Sequence, residues 1–313
     1  MFAICIEASH ERGLGHLYRS LSLAAHFRAR GEAHVVLVND YPVAVDLLRA
    51  SKTVFEVLAA PTAGWEQRLI RRLGVTTWIN DRLDTDAAHA AAVKREGIRL
   101  VTFDDRGGGA AFADLHVAAL CFEDAGALTG KKILTGTRYL ILNREIEHYR
   151  RVRRQAREIL VTLGGTDTYG VTVKVVAMLA RLGRAATVVL GPGFAHLREL
   201  EAVATPAFRV KRGVPSLIEE FAAHDLAITG GGMTVFEAAA TGLPCVVIAN
   251  EWFEVPAARH LARLGCAIYA GHHTEIDARP LPLVEDVEAM SRAGLAQLTT
   301  QGVENVFREL AAT

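Results

Sequence analysis

Short apolar, β-branched runs recur along the chain, each bounded by turn residues and followed by a longer stretch with helical spacing. Phe2–Ile6, Val35–Val38, Thr77–Asn80 and Leu100–Phe103 form one series, and Ile159–Leu163, Ala186–Leu190, Leu226–Thr229 and Cys245–Ile248 form another. Strand, helix, strand in repetition predicts parallel sheets joined by crossover helices, one sheet in each half. Between the series lies the most charged interval, Asn143 to Glu158, rich in arginine and without interleaved aromatics. That composition predicts a solvated helix or linker rather than an RNA-binding patch, and the domain boundary is placed there. The expected domains are therefore 1–146 and 147–313. A last helical pattern, Leu283–Ala312, follows a turn at Pro280-Leu281-Pro282 and is expected to pack across both.

The 313 residues exceed what one core usually holds, at roughly 150 residues per domain. The expected fold is thus α/β with two Rossmann-like parallel-sheet domains facing a cleft. Lysine plus arginine equals aspartate plus glutamate, 35 of each, so no global field draws the chain to nucleic acid or an anionic membrane. Any anion must be bound locally. Cys5, Cys121, Cys245 and Cys266 lie in apolar runs without paired spacing, which predicts buried free thiols in a reducing compartment rather than zinc or disulfides. The short apolar start reaches Glu7 too soon for a signal peptide, and no run approaches the ~18 apolar residues of a membrane span. A cytoplasmic protein is expected.

Three glycine-rich turns carry candidate chemistry. After the first strand, Gly13 and Gly15 precede a helix expected from about His16 to Arg30; glycine admits close backbone approach, and a helix start offers free N–H groups to anions. A third glycine of the dinucleotide fingerprint is missing there. His16 sits where the helix dipole favours a neutral imidazole, a potential base, or else it caps or packs; Arg19, three residues on, shares its face. In the second half, Gly230-Gly231-Gly232 turns from a strand into a helix expected from about Thr234 to Gly242, an arrangement that suits a pyrophosphate, with Glu237 one turn in and able to accept ribose hydroxyls. The alternative is glycines that simply pack the helix on its strand. Gly164-Gly165-Thr166 closes a neighbouring strand, and Gly191-Pro192-Gly193 the next, the latter explicable as plain turn chemistry.

Other acidic and aromatic positions admit bland readings. Asp84-Thr85-Asp86 matches a metal-binding pattern but precedes a helix, where aspartate N-caps. His272-His273 lack a third ligand. Trp252 and Phe253 could stack on a sugar or fill an interface. No metal and no cofactor is expected.

Taken together, Gly13-x-Gly15-His16-x-x-Arg19, Phe103-Asp104-Asp105, Gly136-x-x-Tyr139-x-x-Leu142, Leu160-Val161-Thr162-x-Gly164-Gly165-x-Asp167 and Gly231-Gly232-x-Thr234-x-x-Glu237 resemble the PseG/SpsG group, relatives of MurG with the GT-B arrangement. The likeness runs to about Gly271. It implies a metal-independent UDP-sugar hydrolase of the pseudaminic acid pathway, in surface polysaccharide biosynthesis, that releases UDP and a free amino-deoxy sugar, with His16 in the place of the proposed base. On that reading UDP is held by Gly231, Gly232, Met233, Thr234 and Glu237, while Gly13, Gly15, Arg19, Asp81, Asp105, Gly165 and Thr166 bind the rest of the substrate. The chain departs from the group on the sugar side, where Asp81-Arg82-Leu83 replaces Asp-x-Tyr and Trp252-Phe253-Glu254 replaces Asn-Gln. Two alternatives stand beside hydrolysis: a GT-B glycosyltransferase, with an acceptor hydroxyl in place of water, and a non-catalytic nucleotide-sugar binder. Neither nucleic acid nor stable membrane insertion is expected.

Overall fold

The structure, a computed structural model, describes residues 1–9, 14–58, 62–120, 127–278, 280–282 and 284–312. It divides into two compact units, Met1–Ile141 with Gln301–Thr313, and Leu142–Thr300.

In the first unit, β1 (Phe2–Ile6), α1 (Gly15–Ala29), β2 (His34–Asn39), α2 (Pro42–Ala50), β3 (Phe55–Leu58), α3 (Trp65–Leu73), β4 (Thr77–Asp81), α4 (Ala87–Lys94), β5 (Arg99–Phe103), β6 (Leu115–Ala118) and β7 (Ile133–Thr135) build one sheet of order β3-β2-β1-β4-β5-β6-β7. All its pairings are parallel. β4 is buried along its whole length, as a strand covered on both faces by helices must be, and Trp78 packs there with Ala3, Val35, Leu37 and Leu100. Helix limits follow local chemistry: Pro42 opens α2, and α3 lies between Gly64 and Gly74, both left-handed with φ of 73° and 63°. Asp86 caps α4, accepting from the Ala88 and His89 N–H groups at 2.8 and 3.0 Å, so the Asp84-Thr85-Asp86 run is helix-capping chemistry.

The second unit runs α5 (Ile146–Tyr149), β8 (Ile159–Thr162), α6 (Val171–Arg181), β9 (Ala186–Leu190), α7 (Leu197–Val203), β10 (Phe208–Arg212), α8 (Leu217–Ala223), β11 (Leu226–Thr229), α9 (Met233–Ala240), β12 (Cys245–Ala249), α10 (Val255–Arg263), β13 (Ala267–His272) and α11 (Val287–Gln297). Its parallel sheet has the order β10-β9-β8-β11-β12-β13. β8, β11 and β12 are wholly buried, whereas the edge strand β10 exposes Arg209 and Arg212, charges that deter further strand pairing.

The eight strands expected from sequence are all present. Five more, β3, β6, β7, β10 and β13, were not foreseen; four of them are sheet edges, of which β3, β7 and β10 are too short or too polar to give a continuous apolar run, whereas β13 carries one at Ala267–Ala270. The last helical pattern is two helices rather than one. α11 packs on α9, where Gly294 leaves no space for a side chain because a Cβ would stand 2.4 Å from the Ala239 carbonyl oxygen. α12 (Gly302–Ala311) instead joins the first unit: Glu304 pairs with Arg30 at 2.5 Å, Asn305 donates to the Arg138 carbonyl at 2.8 Å, and Phe307 meets Phe27. A boundary that keeps everything from 147 onward in one domain therefore misplaces this helix.

The arginine-rich interval also differs from a solvated linker. Arg153 is 1% exposed and donates to the carbonyls of Thr241, Phe221 and Arg151, while Arg150 donates to those of Ala240, Leu298 and Leu295. Apart from that of Arg151, these carbonyls lie at the C-terminal ends of α8, α9 and α11, where cationic side chains are favoured. Burial lowers the Arg153 guanidinium to about 10, and the nearby Arg151 charge adds to that.

Cys5, Cys245 and Cys266 are buried free thiols, and burial pushes Cys5 and Cys266 up to about 11; Cys121 lies outside the described residues. Among the described residues no helix is long and apolar enough to cross a membrane.

Candidate active site

Each sheet reverses its winding direction once, between β1 and β4 in the first unit and between β8 and β11 in the second. Loops leaving the carboxyl ends of two such strands splay apart and open a crevice, where open α/β sheets bind ligands. Among the described residues, all the sequence-predicted ones except Asp105 fall at these two places.

In the first unit, α1 begins at Gly15, one residue before His16; Gly13 lies outside the described residues. Asn39, at the end of β2, exchanges two 2.8 Å hydrogen bonds with the backbone of Ala8 and so anchors the chain leaving β1. Asp81 ends β4 and brings His16 and Arg19 together: His16 Nδ1 lies 2.6 Å from Asp81 Oδ1, and Arg19 Nε donates to Asp81 Oδ2 at 2.7 Å. A second Arg19 nitrogen also reaches Asp81, and a third reaches Asp104 at the end of β5. Arg19 is 5% and Asp81 2% exposed. Burial by itself would raise the Asp81 carboxyl, but the charges and hydrogen bonds of Arg19 and His16 outweigh it and hold the group at about 2. The same carboxylates raise the Arg19 guanidinium against its own desolvation. An ionised Asp81 only accepts hydrogen bonds, so Nδ1 of His16 carries the proton and Nε2 is the atom left to act as a base. Arg19 is therefore a structural cation that orients Asp81, as its helix-face spacing from His16 allows.

Asp105 does not join this group. Its Oδ1 accepts from the backbone of Thr85 and Gly107 at 2.9 Å each, shaping the loop after β5. Its neighbour Asp104 is the residue that meets Arg19; adjacent residues leave a strand end in different directions, and the sequence did not tell which of the two would turn inward. Leu83 and Asp104, both in the loops beside Asp81, have left-handed φ of 67° and 45°, a strain typical of functional loops.

In the second unit, Gly230-Gly231-Gly232 follows β11, and α9 starts at Met233 with no side-chain cap on its free N–H groups. The Glu237 carboxyl, on α9, has no hydrogen bond or ion pair among the described residues, and burial raises it to about 7. The sequence reading missed Glu254, which caps the turn: Oε2 accepts from Asn250 N at 2.7 Å and Gly231 N at 3.3 Å. The glycines have a packing reason too, since a Cβ on Gly231 would stand 2.8 Å from the Glu254 Cβ. Across the switch point, Gly164 takes a φ of 95°, Thr166 is buried, and Asp167 caps α6, accepting from Val171 and Thr172 at 2.8 Å. The Gly191 turn packs on this loop, with Gly193 N donating to the Gly165 carbonyl at 2.8 Å. Trp252, 63% exposed, lies flat on His272, and Tyr169 on His273. Among the described residues no group of three or more His, Cys, Asp or Glu gathers as metal ligands do.

No protein-family model matches the chain. It is 26% identical over 269 residues to an uncharacterized protein of Methanocaldococcus jannaschii, covering 79% of this chain and 55% of that one, so it spans about half the length of that relative. It is 22% identical over 287 residues to the spore coat polysaccharide biosynthesis protein SpsG of Bacillus subtilis, covering 86% of this chain and 83% of SpsG. Among solved structures it superposes on Acinetobacter baumannii MurG with a TM-score of 0.68 at 13% identity, covering 100% and 99% of the two chains. The spinosyn rhamnosyltransferase SpnG gives 0.66 at 14% identity and 100% of both, and SpnG has also been solved with thymidine diphosphate. The chain thus has the GT-B fold of two parallel-sheet α/β units expected from its sequence.

Proposed function

We propose that this chain is a glycosyl-transferring enzyme that breaks the anomeric C–O bond of a nucleotide sugar. The observation that carries the reading is the His16–Asp81–Arg19 group at the first switch point; the uncapped start of α9 at the second supports it. An acceptor hydroxyl gives its proton to Nε2 of His16 while its oxygen bonds to the anomeric carbon. The bond from that carbon to the diphosphate breaks, and the diphosphate leaves with the electron pair. Its charge is received by the N–H groups of Gly231, Gly232, Met233 and Thr234 and by the dipole of α9. Asp81 stabilises the imidazolium, and Glu237 accepts the ribose hydroxyls. Gly15 belongs to the turn before α1, and Gly165 and Thr166 to the turn after β8, whereas Arg19 and Asp105 act through the loops they hold. The fold shared with MurG and SpnG supports transfer, and the likeness to SpsG supports a place in polysaccharide biosynthesis.

The second reading replaces the acceptor by water, giving a UDP-sugar hydrolase of the pseudaminic type. It is favoured by the His16–Asp81 pair, which activates water as readily as an alcohol, and by the motifs shared with the PseG/SpsG group.

Release of nucleoside diphosphate from UDP- and dTDP-sugars, followed with and without added acceptors, separates the two. Transfer requires an acceptor for fast release; hydrolysis does not. His16→Ala is expected to slow release by about 10²–10⁴-fold. Undiminished release by that variant would remove the mechanism.

A further inference from the structure

The glycine turn before α9 already holds one anion, supplied by the chain itself. Glu254 Oε2 accepts from Asn250 N at 2.7 Å, Gly231 N at 3.3 Å and Glu251 N at 3.4 Å, and Oε1 would lie 3.3 Å from a Cβ on Gly232. Three backbone N–H groups on one oxygen is an arrangement in which protein loops hold oxyanions. A phosphate oxygen that takes the Gly231 N–H must therefore push the carboxylate aside or share the turn with a carboxyl that has lost its charge.

Resting on the nucleotide reading above, we propose that Glu254 is a specificity-determining residue of this turn. It opposes each added phosphate charge, so the turn prefers a sugar-linked diphosphate to free nucleoside diphosphate and binds the free form with uptake of a proton on Glu254. A diphosphate freed of its sugar gains one ionisable oxygen, so the device would hasten product release.

Burial raises the Glu254 carboxyl to about 7 against the pull of its three N–H partners, and the Glu251 charge raises it further. An anion beside it raises it again, so affinity is level below about pH 7 and falls as pH climbs toward the value in the complex. The charged side chain that acts on Glu254 is Glu251, which accepts from the Tyr169 hydroxyl at 2.7 Å and also acts on His273, as do His272 and Lys174, the latter paired with Asp277. Glu237 works in the opposite sense, because ribose hydroxyls donated to it favour its charged form and release a proton.

Calorimetric titration of the full chain with UDP and with UDP-glucose, at pH 6.5 and 8.5 and in buffers of low and high ionisation enthalpy, tests this. The wild type is expected to take up a proton with UDP and to bind it about tenfold more weakly at pH 8.5. Glu254→Gln, which keeps an oxygen for the three N–H groups, is expected to lose the uptake, to flatten the pH dependence below about threefold, and to gain more for UDP than for UDP-glucose. Absence of proton uptake in the wild type, or uptake that persists in Glu254→Gln and vanishes in Glu237→Gln, overturns the inference while leaving the nucleotide reading intact. Failure of UDP to bind at either pH overturns both.

Discussion

Asp81→Asn tests the first site most directly, because one carboxylate holds both His16 and Arg19. Asp81 is displaced from 3.8 to about 2 in the folded protein. At 1.36 kcal/mol per pKa unit, ionisation of this group contributes about 2 kcal/mol at neutral pH. Because the folded value lies below the unfolded one, the contribution is complete above about pH 4 and is lost as pH falls toward about 2. The amide changes more than that increment. It offers one acceptor oxygen in place of two and leaves the buried Arg19 with the Asp104 carboxylate alone; breaking one side of a buried ion pair costs about 3–5 kcal/mol. The expected loss is therefore about 3 kcal/mol or more at pH 7. Urea unfolding in a Trp252→Phe background measures it, since Trp65 and Trp78 then report on the first unit alone. A loss below about 1 kcal/mol would refute the claim that Asp81 neutralises a buried guanidinium. His16→Ala, by contrast, leaves the Arg19–Asp81 pair in place and should cost stability little while abolishing most turnover.

Two further predictions concern structure outside the chemistry. Arg153→Met removes a charged donor from the carbonyls of Thr241, Phe221 and Arg151, the first two keeping only a backbone N–H, and should destabilise the second unit by about 3 kcal/mol, read as a lowered midpoint of the Trp252 unfolding transition. Asp86→Ala removes the cap of α4 and should cost about 0.5–2 kcal/mol in urea unfolding with nucleoside diphosphate release unchanged; a large loss of release would show that the Asp84–Asp86 segment has chemistry beyond capping.

What the sequence determined by itself was local: the buried strands and the order of glycine turns. β1, β8, β11 and β12 lie in sheet interiors, so their runs are apolar almost throughout and visible without any partner, while β4, equally buried, carries Thr77, Asn80 and Asp81. The His16 and Arg19 spacing and the Gly230–Glu237 turn were legible for the same reason, since one strand and one helix start define each. Tertiary structure decided everything that depends on distant pairing. That Asp104 rather than Asp105 meets Arg19, and that Glu254 fills the turn at Gly231, are contacts across 85 and 23 residues that no local pattern records. The arginines of 150–153 read as solvated because their acceptors are backbone carbonyls, which every sequence possesses and none displays. α12 reads as a continuation of α11, because an amphipathic stripe shows that a helix buries one face without naming the surface that covers it.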